Sequence, residues 1–218
     1  MIELAPGGAQ ELSSALKIVL VLTFIGLIPG LLVAVTSFTR IIIVLSMLRQ
    51  ALGMQETPPN MVLTGLALFL TLFTMLPVVQ QVNEKALEPF LNDRISIQEA
   101  ARGAAGPLRD FMVRHTREQD LSLMVEVAGA RAPATVEDIN LAHLVPAFML
   151  SELRTAFQIG FVIFLPFLLV DLVVSSVLMS MGMLMVPPIV ISLPIKILMF
   201  VLVDGWTLVV RSLVSGFS

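Results

Sequence analysis

Residues 147–186 read AFMLSELRTAFQIGFVIFLPFLLVDLVVSSVLMSMGMLMV, and this stretch decides the class of fold. Its pattern is apolar and helical, but a single helix of about 40 residues would be roughly 60 Å long, twice the thickness of the hydrocarbon core of a membrane. We therefore do not expect one simple span. Pro166 and Asp171 near its middle predict that the helix is broken, or that its first part lies outside the lipid.

The whole chain has a membrane composition. Of its 218 residues, 57% are hydrophobic and 13% are charged, and its mean hydropathy is +0.96, whereas soluble domains carry about 25% charged residues. Uncharged runs occupy 18–39, 57–83, 155–170 and 172–195. A helix needs about 20 apolar residues to cross the hydrocarbon core. The sequence therefore predicts an all-α fold with about four membrane-type helices.

The chain divides into three parts. Residues 1–82 should form apolar helices, one from about Ala15 through Pro29 toward Arg40 and Leu48, and a second over 61–79. Residues 83–143 form a polar insert, because 17 of the 29 charged residues lie between positions 84 and 138. Residues 144–218 should form an apolar helical hairpin. The fold class is thus membrane-associated helical hairpins with a small polar helical insert.

The insert carries its own helix signals. Ser96 and Glu99 have the spacing of a capping box, and Pro107 is expected to open a helix, with Gly103 and Gly106 marking a break before it. The side of the membrane follows from the basic residues of short loops. Arg40 and Arg49 place the connection 40–60 in the cytoplasm, so the insert and both ends of the chain should face the outside.

Isolated charges in the apolar parts need partners, because an unpaired charge in hydrocarbon is costly. We expect a last helix over 189–215 to carry a stripe of three charges, namely Lys196, Asp204 and Arg211. The other charges after position 138 are Glu152, Arg154 and Asp171. We predict that Glu152 pairs with Lys196, and that Asp171 or Asp204 meets an arginine, either within one chain or between subunits.

These charges allow three interpretations. They could fix the register of packed helices, move a substrate or protons, or, for Asp171 and Asp204, act as a carboxylate pair that activates water. Nothing in the surrounding sequence supports the last of these, so an enzyme is not expected. No cofactor is expected either, since no nucleotide-binding loop occurs, there is no cysteine, and His115 and His143 lack metal-ligand spacing.

Four methionines stand at every second position before a double proline: Met179, Met181, Met183 and Met185. This spacing does not place all four on one helical face, and Gly182 with Pro187 favours a loop or a frayed helix end. The cluster could fill a core, bind copper(I), or form a flexible hydrophobic constriction in a pore. A transporter of small ions or metals that uses these residues remains an alternative function.

Six motifs, in this order, resemble the FliP family of the flagellar type III export gate: TSFTRIIIV at 36–44, PPN at 58–60, SELRTAFQIGF at 151–161, DLV at 171–173, VPP at 186–188 and LVDGW at 202–206. The resemblance implies a non-enzymatic subunit in the bacterial inner membrane, at the flagellar basal body. Its partners would be further copies of itself, FliQ and FliR, and unfolded flagellar export substrates. Nucleic acid is not an expected partner.

The resemblance also implies an assembly and a site. Several copies would form a helical homo-oligomeric channel, and a methionine-rich loop would close it as a gasket. Met183 and Met185 match that loop, with Leu184 between them where the family commonly has a third methionine. Leucine keeps the volume and the apolar character but is less flexible. Glu152 and Lys196 match the family positions of a buried charged pair.

Overall fold

The computed structural model describes residues 8–130, 135, 138–183 and 185–217, and the regular secondary structure of these residues is entirely helical. The α-helices are α1 Gly8–Val35, α2 Phe38–Ala51, α3 Asn60–Val82, α4 Glu88–Leu91, α5 Ile97–His115, α6 Glu118–Val127, α7 Leu141–Ser180, α8 Pro188–Leu202 and α9 Gly205–Ser215. A π-helical turn, Asn83–Leu87, joins α3 to α4. The predicted all-α class is confirmed.

The 40-residue helix α7 is continuous, so the predicted break at Pro166 is wrong. It begins at Asn140, whose side-chain oxygen accepts a hydrogen bond from the N–H of Ala142 at 2.9 Å. The boundary that we placed after residue 143 therefore falls inside its first turn. The alternative expectation was that the first part of this stretch lies outside the lipid. The contacts are consistent with it, because α7 as far as Gln158 lies against polar groups of the insert. About 22 residues remain beyond it, roughly 33 Å of helix, which is enough for one span.

The N-terminal helix is shorter than predicted, because the helix is interrupted at Thr36 and Ser37, between α1 and α2. Hydroxyl groups compete there for backbone partners: Thr36 donates to the carbonyl of Leu32 at 2.8 Å, and Thr39 donates to that of Val33 at 3.0 Å. Arg40 consequently lies inside α2, not in a loop. Arg49 lies in the last turn of α2 as well, so neither of the two residues on which the predicted orientation rests lies in a loop.

Helix α2 is the centre of the first hydrophobic core. Its buried side chains pack against α3, α7 and the C-terminal helices, and they include Ile41, Val44, Leu45 and Leu48. A second core joins the insert to the apolar helices, with Met75 and Val78 from α3, Phe111 and Met112 from α5, and Leu144 and Phe148 from α7. The insert is thus packed onto the apolar helices and is not an appendage.

Within the insert, the capping box is confirmed. Ser96 Oγ accepts from the N–H of Glu99 at 3.3 Å, and the Glu99 carboxylate accepts from the N–H of Ser96 at 2.8 Å. The predicted break is wrong, since α5 runs without interruption through Gly103, Gly106 and Pro107. Gly103 serves a close approach instead, because a Cβ atom there would lie 2.8 Å from the carbonyl oxygen of Lys85.

The last predicted helix is in fact two helices, which bend by 64° at Val203 and Asp204. Asp204 has φ 51°, in the left-handed region that aspartate tolerates better than most residues. Gly205 follows directly beneath the ring of Phe200, where a Cβ atom would lie 2.2 Å from Cδ2. The predicted stripe of Lys196, Asp204 and Arg211 on one helix is therefore wrong.

Among the described residues, two helices are long and apolar enough to cross a membrane, Asn60–Leu91 and Leu141–Ser180. Two bent pairs would raise the number to four: Leu16–Leu27 with Pro29–Val35, and Pro188–Leu202 with Gly205–Ser215. The four membrane-type helices predicted from composition correspond to this upper number. Much of the apolar surface of these helices is exposed in the single chain, including Phe69, Phe73, Phe161 and Leu169.

Candidate functional site

The first buried ion pair joins Arg40 of α2 to Glu152 of α7. Nε of Arg40 donates to Glu152 Oε2 at 2.9 Å, and Nη2 donates to Oε1, so the guanidinium binds both carboxylate oxygens in a bidentate pair. The Arg40 side chain is 6% exposed and that of Glu152 is fully buried. Such two-pronged pairs fix the relative position of the helices that carry them.

The segment that follows α9 covers this ion pair. Nη1 of Arg40 donates to the carbonyl oxygen of Gly216 at 3.1 Å, and its guanidinium carbon lies 3.9 Å from the centre of the Phe217 ring. The same ring packs against His115 and Phe111 of α5, with centroid distances of 5.2 and 6.2 Å. Four parts of the chain therefore meet at this point.

His115 is the titratable group of this cluster outside the apolar helices. Burial of its ring lowers its pKa below the usual 6.5, and the positive charges of Arg40 and Arg114 act in the same direction. A hydrogen-bonding contact of 2.8 Å between Nδ1 and the carbonyl oxygen of Phe111 opposes this shift. The net effect favours the neutral imidazole.

The second ion pair joins Lys196 of α8 to Asp171 of α7, with Nζ donating to Oδ2 at 2.6 Å. Nζ also donates to the carbonyl oxygen of Ala51 at 3.2 Å, and so places a positive charge at the negative end of the α2 helix dipole. The predicted pairing of Glu152 with Lys196 is therefore wrong within the chain. Arg40 occupies the carboxylate of Glu152, and Lys196 lies at the opposite end of α2.

The remaining predicted charges lie apart from these pairs. Arg154 is 45% exposed and forms an ion pair with the buried Asp120 of α6, at 3.1 Å from Nη2 to Oδ1. Asp204 is exposed directly before α9, and Arg211 is exposed within α9. Within the chain, Asp171 binds a lysine and not an arginine, and a contact of Asp204 with an arginine of another subunit stays a prediction.

The methionine cluster lies at the turn between α7 and α8. The N–H of Gly182 donates to the carbonyl of Met179 at 3.0 Å, and that of Met183 donates to the carbonyl of Leu178 at 3.0 Å. With Gly182 at φ 75°, this is a Schellman motif, which ends a helix through a left-handed glycine. The predicted loop is confirmed at Met183 and Met185, while Met179 lies in the last turn of α7 and Met181 caps the helix.

All four methionines are exposed in the single chain. The exposed fractions are 66% for Met179, 67% for Met181, 40% for Met183 and 96% for Met185. Leu184 lies outside the described residues. Core filling, which was one interpretation of the cluster, does not fit side chains with this exposure. The loop is instead a flexible apolar surface that is available to a neighbouring molecule.

The chemistry open to this site is packing and charge pairing. Among the described residues, no group of three or more histidine, cysteine, aspartate or glutamate side chains could hold a metal ion. Sequence reasoning missed Arg40 and Phe217. The signal for Arg40 was present, because it is a lone cation between two apolar runs. No sequence signal identified Phe217 as its cover.

Comparison with known proteins gives a consistent family. A sequence model described as the FliP family matches residues 21–213. The flagellar biosynthetic protein FliP of Bacillus subtilis is 53% identical over 95% of this chain and 94% of its own length. Those of Pectobacterium carotovorum and Aquifex aeolicus are 51% and 45% identical and are covered over 82% and 89% of their lengths. This chain therefore belongs to the FliP family of flagellar biosynthetic proteins.

Proposed function

We propose that this flagellar biosynthetic protein is the channel-forming subunit of the flagellar type III export gate, through which unfolded flagellar proteins cross the bacterial inner membrane. It has no enzymatic role in this proposal, and other components supply the energy. The observation that carries the proposal is the FliP family match over nearly the whole chain, together with an exposed methionine loop at the tip of the α7 and α8 hairpin.

The exposed apolar surface supports an assembly of several copies. Side chains along α7 that are about half exposed or more include Phe157, Phe161, Leu169, Leu172 and Val173. An apolar surface of this size needs lipid or protein around it, because its exposure to water is unfavourable. In the proposed channel, further copies of this chain, FliQ and FliR cover part of this surface, and the lipid of the membrane covers the rest.

In the proposed channel, Met183, Leu184 and Met185 form a gasket around the axis. Methionine side chains are unbranched and polarizable, so a ring of them packs tightly at rest and deforms around an extended polypeptide. The turn that carries the loop is held by hydrogen bonds at the end of α7, so the side chains can move while their base stays fixed. An apolar constriction of this kind blocks ions by excluding water.

The gasket is tested in a Bacillus subtilis strain that lacks its own FliP and carries this chain instead. The variant with Met183→Ala and Met185→Ala should let small ions leak through the assembled gate, and membrane conductance measures this. The matched control is Met179→Ala with Met181→Ala, since these residues are of the same type and are also exposed, at 66% and 67%.

We expect the control to keep the membrane closed to ions and the cells to keep their motility. Equal leakage from both double variants would show that no particular pair forms the seal. An unchanged conductance in the Met183 and Met185 variant, in cells that still swim, would remove the gasket from the proposal. Cells that do not swim even with the unaltered chain would contradict the export role itself.

A further inference from the structure

Gly216 and Phe217, which we call the post-α9 segment, close the cluster formed by Arg40, Glu152 and His115. The segment has no regular helix of its own beyond α9. Its two N–H groups donate to carbonyls of α9, from Gly216 to Ser212 at 3.3 Å and from Phe217 to Val214 at 3.1 Å. Outside α9 it is held by one hydrogen bond from Arg40 to Gly216 and by the Phe217 ring, which packs on Arg40, His115 and Phe111 at the edge of the two hydrophobic cores. A segment held by so few contacts can detach without unfolding the helices beneath it.

The Phe217 ring lies against two nitrogen-containing groups of different charge state. Arg40 is a permanent cation, and its charge is balanced by Glu152 from α7. The ring of His115 is half-buried against Phe217 and Phe111, and this burial lowers its pKa and favours the neutral form. A proton on His115 would add a second cation beside the first, and the covering ring reduces the hydration that this cation would need.

The charged groups around His115 do not offset that cost. From α2 the facing group is Arg40, and from its own helix α5 it is Arg114, and both are positive. Glu152 of α7 is the acidic member of the cluster, but both of its oxygens are bound by Arg40. The post-α9 segment contributes only an aromatic ring and a carbonyl oxygen, and that carbonyl is bound by Arg40.

We propose that the post-α9 segment is a latch that holds the polar insert against α2 and α7, and that protonation of His115 releases it. With His115 neutral, Phe217 packs between α5 and Arg40 and shields the Arg40 and Glu152 pair from water. With His115 charged, the imidazolium turns toward water, and Phe217 loses its packing contact with the His115 ring. The device goes beyond the channel function, and it does not depend on the methionine loop.

The direction of the pH dependence follows from linkage. The closed latch has the lowered pKa of His115, whereas the open latch has the ordinary value near 6.5. The open form therefore binds protons more readily, so the closed form is fully favoured above about pH 6.5 and loses its advantage as the pH falls. Each pKa unit between the two forms changes the closed-to-open ratio about tenfold.

The experiment uses the full chain, purified in detergent, with a nitroxide label at Ser215→Cys. The chain has no cysteine, so this exposed position at the end of α9 is the single labelling site. Spectra recorded between pH 8 and pH 5 should show a mobile component that grows as the pH falls through the range below about 6.5. Phe217→Ala should show that component at every pH, because the ring that holds the segment is gone.

Two histidine variants provide the control. His115→Phe keeps an aromatic ring but cannot take up a proton, so its spectrum should not change with pH. His143→Gln removes the other histidine of the chain and should leave the response intact. A response that persists in His115→Phe, or a spectrum of the labelled parent that does not change with pH, would overturn the proposal.

A second measurement does not depend on the folding of His115→Phe. In the His143→Gln background, His115 is the single histidine, so an NMR titration of its ring reports its pKa directly. The proposal requires a value below 6.5 that rises toward 6.5 when Phe217→Ala is added. An unchanged value after the removal of Phe217 would mean that the ring does not shield His115, and the latch would be wrong.

Discussion

Arg40 and Lys196 bind carboxylates of the same helix, α7, at positions that lie 19 residues apart in the sequence, Glu152 and Asp171. They hold the two ends of α2 in different ways. Arg40 lies in the first turn of α2, and Lys196 of α8 donates to the carbonyl oxygen of Ala51, the last residue of α2. Helix α2 is thus held at one end by a charge pair and at the other by a charged hydrogen bond, so it cannot slide along α7 without breaking one of them.

The pairing is testable by exchange of charges. Asp171→Lys and Lys196→Asp should each lower the melting temperature of the purified protein, because each brings two like charges together. The double variant should recover part of the loss, since the ion pair is restored in the reverse direction. Recovery should be incomplete, because the lysine at 171 no longer binds the carbonyl of Ala51. Thermal unfolding in detergent, followed by circular dichroism, measures this.

The contrasting exchange is Glu152→Lys with Lys196→Glu. Glu152→Lys should lower stability by about 3–5 kcal/mol, because it leaves the buried Arg40 without its carboxylate. Lys196→Glu should lower stability by less, because the side chain of its partner Asp171 is 40% exposed. Their combination should recover nothing, since the two side chains bind different groups. If this double variant recovers and the Asp171 exchange does not, the pairing described for the single chain is not the one in the functional protein.

The sequence predicted that the charges of the apolar segments have partners, because the cost of an unpaired charge in hydrocarbon depends on residue type alone. It could not predict which partners, since that depends on how helices pack. Glu152 and Lys196 were matched by family position. Arg40 was not considered as a partner of Glu152, because it was assigned to a loop. The turn at Met183 was predictable, because Gly182 and the double proline act locally.

Within the helices, glycine and proline proved to be poor markers of breaks. Gly103, Gly106 and Pro107 lie inside α5, and Pro166 lies inside α7, whereas α8 and α9 separate at Asp204. The capping box of Ser96 was predictable, because its hydrogen bonds join residues three apart. The continuity of α5 was not, because it depends on contacts with α3, α7 and the π-helical turn.

Two glycines of α5 should respond in opposite ways to the same substitution. Gly103→Ala should destabilise the protein by about 1–3 kcal/mol, because the new methyl group would lie 2.8 Å from the backbone oxygen of Lys85. Gly106→Ala should stabilise it by about 0.5–1 kcal/mol, because nothing lies within 4 Å and alanine favours the helix. Thermal unfolding of both variants checks this, and a loss of the same size in both would contradict the close approach.

Across the whole molecule, α7 connects two ends of different character. At one end lie the polar insert, the Arg40 and Glu152 pair, and the post-α9 segment. At the other end lie the methionine loop and the connection after α2, where Gly53 approaches Ile189. The length of the apolar stretch is consistent with two tasks, because one helix supports the insert at one end and is long and apolar enough to cross a membrane with the rest.

This division of α7 predicts a difference in thiol accessibility. Ala142→Cys, in the exposed first turn, should react with a membrane-impermeant maleimide added from outside cells in which the outer membrane has been made permeable. Leu169→Cys should not react, although its side chain is 61% exposed in the single chain, because lipid or neighbouring subunits surround it. If Leu169→Cys is labelled as fast as Ala142→Cys, this part of α7 faces water.

The central place of α2 has a consequence for the order of synthesis. Helix α2 leaves the ribosome long before α7, since Arg40 and Glu152 are 112 positions apart. At the usual speed of translation of about 5–20 residues per second, it waits roughly 6–22 s for its principal partner. During that time its 14 residues are too few for a membrane span, and its arginine has no counter-ion. The nascent chain must therefore keep α2 at the membrane surface or beside an insertion factor until the second half of the protein arrives.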